Sequence, residues 1–292
     1  MIVTYGYGPN LAKFSNSADN IHAYGEELLC SIHNFHIETI HLSKELPIYF
    51  IAHSMGGLIL ENALCISVRS GESLRTIAKR TAGILFLGTP HSSDQLTNWG
   101  WSISRLIPAR LRKGHEPELE GLKVASNVYA TVDRSFQLDI KHGDLRHISI
   151  FTFYESLPLP GMKLIVPKSS TALSSVPSAP IHGTHISMTK FESALDSEYA
   201  KVKGSLLSWI LPTAGEASIK TLEGPVRIIH VNQAKGKVED ISRDASLLIV
   251  FVILISLFEM LLITNKVGQK QRGNRFANLS SSGRYVEARW AY

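Results

Sequence analysis

Cysteine is nearly missing from this sequence: Cys30 and Cys65 are the only two in 292 residues. Each falls where apolar residues recur at helical spacing, which predicts two buried free thiols and excludes a disulfide framework. The opening Met1-Ile2-Val3-Thr4-Tyr5-Gly6 has neither a charged start nor a long apolar core, so no secretory signal is visible. These two absences point to an intracellular chain. Lys and Arg nowhere form a run interleaved with aromatics, and the net charge is only +5, so a nucleic-acid partner is not implied. Charged residues are scarce at 19% against 44% hydrophobic, which excludes a largely disordered chain. No internal repeat organises the sequence.

What is there is an alternation. Ile2-Val3-Thr4-Tyr5 reads as a short strand, and Ser17 then offers an N-cap to a helix with Ile21, Tyr24, Leu28 and Ile32 at helical spacing. Ile48 to Ala52 is a compact apolar run behind Pro47, followed from Met55 by a helix carrying Leu58, Ile59, Ala63, Leu64 and Ile66. Ala82 to Leu87 is a further buried strand, stopped by Gly88-Thr89-Pro90. Residues 94–142 look helical, with Trp99, Trp101, Ile103, Leu106 and Ile107 as an apolar surface, and Ile148 to Tyr154 is another strand. A Pro/Ser-rich loop and a helix over Asp196 to Ile210, ending before Pro212, complete the series. Unbroken apolar strands alternating with helices predict an α/β fold over 1–211, a mostly parallel sheet with helices on both faces. Residues 212–244 read as a linker with one strand at Val226 to Val231.

Ile51-Ala52-His53-Ser54-Met55-Gly56-Gly57 lies between a strand and a helix. A chain reversing there holds the serine on a strained backbone at the sheet's edge, and small residues on either side make the turn possible. Ser54 is therefore the candidate nucleophile, at a helix N-terminus that favours negative charge, and the Met55 N–H is the candidate oxyanion donor. His53 reads as a neighbour shaped by the turn, its side chain directed elsewhere.

A serine hydroxyl needs a base, and the base needs an orienting carboxylate. Glu155 ends an apolar strand, where an ionised side chain is costly unless exposed or functional. Asp133, Asp139 and Asp144 are its rivals, but they precede that strand or sit on helical surface. Of the two histidines beyond Glu155, His185 is favoured because the compact Ile186-Ser187-Met188-Thr189-Lys190-Phe191 follows it, whereas His182 lies in a looser turn. No carboxylate or cysteine cluster turns this pair into a metal site, and no cofactor is expected.

Several strings together resemble one group of α/β-hydrolases. They are Thr4-Tyr5-Gly6-Tyr7, the Ser54 string, Gly83 to His91, Phe153-Tyr154-Glu155, Val166 to Ser170 and His185 to Phe191. The chain is similar in them to the serine-active-site-containing lipase/esterase family, to GPI-inositol-deacylase-like domains and to the hydrolase domain of fungal NACHT-type proteins. The resemblance covers about residues 1–210. It implies hydrolysis of an acyl ester, in a lipid, by Ser54, Glu155 and His185. It also implies a strand and a His-Gly loop ahead of Met1, the loop supplying a second oxyanion donor. The sheet is thus expected to lack its first strands, and a catalytically impaired interaction module is the alternative.

Residues 245–263 are almost wholly apolar and, as a helix, would span about 28 Å, close to a bilayer core. The run outweighs a cost of roughly 3 kcal/mol for Glu259. A transmembrane helix is expected there, followed by a basic tail over 264–292, in a membrane of the endoplasmic reticulum or mitochondrion.

Overall fold

The continuous apolar runs assemble into one sheet. The computed structural model describes residues 2–6, 19–38, 46–91, 119–171, 173, 175–193, 195–213, 228–232, 237–240 and 249–253. Among them, strands β1 (Ile2–Gly6), β2 (Ile48–His53), β3 (Thr81–Leu87), β4 (Ser149–Glu155) and β5 (Ser178–Ile181) alternate with helices. The helices are α1 (Asp19–Glu38), α2 (Met55–Arg69), α3 (Glu72–Arg80), α4 (Leu119–His142), α5 (Lys168–Thr171) and α6 (Ser197–Thr213). Three further strands follow: β6 (Ile228–Asn232), β7 (Lys237–Asp240) and β8 (Ile249–Ile253). The order across the sheet is β5-β4-β3-β2-β8-β1-β6-β7. Every pairing is parallel except β6 with β7.

The strands are apolar on both faces because both faces are covered. Phe50 and Ala52 of β2, with Ile84 and Phe86 of β3, pack among Leu28 and Ile32 of α1, Leu58 and Ile59 of α2, and Phe136 of α4. The alternate residues, Tyr49, Ile51, Leu85 and Leu87, meet Val202, Leu206, Trp209 and Ile210 of α6 on the opposite side. A side-chain period of two in each strand therefore feeds two cores. Gly83 admits α6 closely: a Cβ there would come within 2.6 Å of the Trp209 ring.

Five expectations need correction. The sheet does not stop at β1, because β6, β7 and β8 extend it from the C-terminal part of the chain, and β8 lies between β1 and β2. Ile249 to Ile253, inside the segment expected to be a membrane helix, are thus a strand in register with Ile48 to Ala52. An unbroken apolar run satisfies a doubly covered strand as well as a helix, and Ile249, Val250, Val252 and Ile253 are β-branched. No helix of the described residues is long and apolar enough to cross a membrane. The linker over 212–244 contributes β6, near the expected strand, and also β7. Cys30 is exposed, since the buried stripe of α1 runs through Leu28, Leu29 and Ile32. Helix α6 continues through Pro212 to Thr213. Ser17, the tryptophans at 99 and 101, and the basic tail lie outside the described residues.

Candidate active site

The turn from β2 into α2 is strained. Ser54 has φ 54° and ψ −127°, a backbone that a side-chain-bearing residue adopts only when its surroundings enforce it. The enforcement is visible. Ser54 N donates to the Leu87 carbonyl at 2.9 Å, and the Ser54 carbonyl accepts from Gly57 N at 3.1 Å and from Thr89 Oγ1 at 3.1 Å. Gly57 is required for the last contact, because a Cβ there would lie 2.2 Å from Thr89 Oγ1. Met55 opens α2, so its N–H has no partner inside the helix.

β2, β4 and β5 end at the same edge of the parallel sheet, and each brings one residue to it. Glu155 is the last residue of β4 and is buried. Its Oε1 accepts from the backbone N–H groups of Ile165 and of Val166, the latter at 3.1 Å. Its Oε2 lies 2.8 Å from His185 Nδ1, on the loop after β5. His185 Nε2 lies 2.8 Å from Ser54 Oγ. With the proton on Nδ1, facing the carboxylate, Nε2 is free to accept the serine proton. Ser54 and His185 are both fully buried. His182, the rival base, is exposed, and its backbone N–H donates to Glu198. Asp139 and Asp144 pair with Arg69 and Arg75.

His53 has a partner no local pattern reveals. Its Nε2 donates to the His185 carbonyl at 2.8 Å, and the two rings sit 5.0 Å apart. Burial, reinforced by the neighbouring His185, pushes its pKa down to about 3, so it stays neutral. The side chain is directed at the backbone of the histidine loop, where it acts as a brace.

Asp133, the third rival acid, belongs to another cluster. Glu61 of α2, His91 after β3 and Asp133 of α4 converge in the core. Burial raises the Glu61 carboxyl to about 7, and at His91 the two facing carboxylates outweigh burial and raise the imidazole. Sequence reasoning missed this grouping, because the three residues sit on separate elements without the short spacing of a metal motif.

Part of the chain is similar to the protein SERAC1. The bovine and human SERAC1 proteins are each 26% identical over 148 residues, 49% of this chain and 21% of theirs. The zebrafish protein is 33% identical over 63 residues, 22% of this chain and 9% of that one. The chain thus spans about a fifth of the length of the bovine and human relatives it matches. No protein-family model matches the sequence. Among solved structures, the RedJ thioesterase of prodiginine biosynthesis in Streptomyces coelicolor superposes with a TM-score of 0.33 at 10% identity, covering 70% of this chain and 84% of that one. A hydrolase from Pseudomonas aeruginosa PA01 gives 0.29 at 13% identity, covering 62% and 71%. An α/β-hydrolase-like relationship is consistent with the parallel sheet, its helices and the strand-turn-helix at Ser54.

Proposed function

We propose that the chain is a serine hydrolase that cleaves a carboxylic ester through an acyl-enzyme. The observation that carries this reading is His185, 2.8 Å from Ser54 Oγ on one ring nitrogen and 2.8 Å from Glu155 on the other. His185 takes the hydroxyl proton as Oγ attacks the ester carbon and returns it to the departing alkoxide. A water, deprotonated by the same nitrogen, then releases the acid and restores Ser54. Glu155 holds the tautomer and offsets the imidazolium charge. The Met55 N–H faces the oxyanion. The family resemblance supports a lipid acyl ester, and with it association with a membrane of the endoplasmic reticulum or mitochondrion.

Ester turnover on short and long acyl chains tests the roles. Glu155→Gln and His185→Ala are each expected to lower kcat by about 10⁴-fold with little change in melting temperature. A near-normal rate in His185→Ala would overturn the assignment of the base. The complete burial of Ser54 and His185 favours a second reading, a hydrolase-like interaction module without turnover. Zero turnover by a folded chain on every ester tried, together with no reaction at Ser54, would select it.

A further inference from the structure

Glu61 lies two turns along α2 from Ser54 and is buried in the core with His91 and Asp133. Their side chains are almost entirely shielded from solvent. His91 Nδ1 stands 2.7 Å from Glu61 Oε1 and 3.7 Å from Asp133 Oδ1. His91 Nδ1 faces both Glu61 Oε1 and Asp133 Oδ1, while the second Glu61 oxygen, Oε2, is buried with no hydrogen-bond partner among the described residues. Two carboxylates that share a single imidazole leave an excess of negative charge, which is costly in such surroundings.

We propose that Glu61, His91 and Asp133 form a structural site for a divalent transition-metal ion of the zinc type. Three observations support it. First, a 2+ ion held by two carboxylates and a neutral imidazole leaves the core with no net charge. Second, donors sharing an ion at about 2.0–2.2 Å lie about 3–3.5 Å from one another, between the two separations seen here. A few tenths of an ångström of movement closes the site. Third, the free oxygen of Asp133 is aimed inward, because Gln137 Nε2 holds the other one, Oδ2, at 2.8 Å. The backbone at His91 is also fixed, its main-chain N–H donating to the Ser170 carbonyl at 2.6 Å.

The donor set selects the ion. Calcium and magnesium take six or more ligands, mostly oxygens and waters. Here one imidazole and two carboxylates converge, a mixed nitrogen and oxygen set of the kind zinc takes. The ion would tie α2, the segment after β3 and α4 together beneath the turn that carries Ser54.

The test uses the full chain, stripped with a chelator and titrated with Zn²⁺ alone. One Zn²⁺ per chain should survive desalting, measured by elemental mass spectrometry, and the melting temperature should rise by several degrees. Glu61→Gln and Asp133→Asn should lose stoichiometric retention. Gln137→Ala, which keeps all three ligands, should weaken Zn²⁺ binding by about 10- to 100-fold. Should the first two variants fail to fold, the wild-type titration and Gln137→Ala decide alone. A wild-type chain that retains no Zn²⁺ and melts identically with and without it overturns the site, leaving a core network neutralised by protons. Retention that neither Asp133→Asn nor Gln137→Ala alters also overturns it, assigning the ion to other histidines.

Discussion

At Ser54 the chain accepts backbone strain so that a hydroxyl can face His185, and the cost is met by neighbours that leave no alternative. Gly57 is one of them. In Gly57→Ala the new methyl meets Thr89 at 2.2–2.8 Å, so a loss of about 1–3 kcal/mol is expected, read from chemical denaturation. Thr89→Ala in the same chain should recover part of it. His53 makes a prediction about pH. Its pKa is about 3 in the folded chain, below the ordinary 6.5, so between these values the unfolded chain binds the extra proton. Stability should therefore fall as pH drops below 6.5, by up to about 1.4 kcal/mol per pH unit from this group, levelling near pH 3. His53→Gln retains a donor for the His185 carbonyl without titrating. Its stability-against-pH curve should be flatter over that window, and a slope equal to the wild type would show that His53 is not buried neutral.

At the scale of elements, β8 decides how the sheet is joined. It pairs with β1 on one side and β2 on the other, so the strand leading to Ser54 rests on residues 249–253. Phe251→Pro removes a backbone donor from a strand with neighbours on both sides and should cost about 3 kcal/mol or more. Deletion of 245–292 removes β8 from between β1 and β2, so the truncated chain should aggregate; a truncated chain that stays folded and monomeric would show that the sheet does not depend on it. The sequence was readable where structure is local: the turn at Ser54 rests on a few consecutive residues, and Glu155 was marked by a charge at the end of an apolar strand. It was not readable at Ile249 to Ile253, because an apolar run without periodicity fits a covered strand and a membrane helix equally. The partner of His53, and the Glu61 and His91 that face Asp133, lie on distant elements, and no spacing announces them.

Seen as a whole molecule, the candidate site is a product of the parallel sheet. Ser54, Glu155 and His185 are far apart in sequence and meet because β2, β4 and β5 run in one direction and end at one edge. The two cores on either side of the sheet hold those ends in place, so loss of the fold and loss of the site should coincide on heating. The most direct measurement of the central claim is reaction of the folded chain with a fluorophosphonate, followed by peptide mass mapping. The account predicts one adduct, on Ser54, absent in Ser54→Ala, strongly reduced in His185→Ala and unchanged in His182→Ala. An adduct that persists in Ser54→Ala, or a folded wild-type chain that forms none, would contradict it.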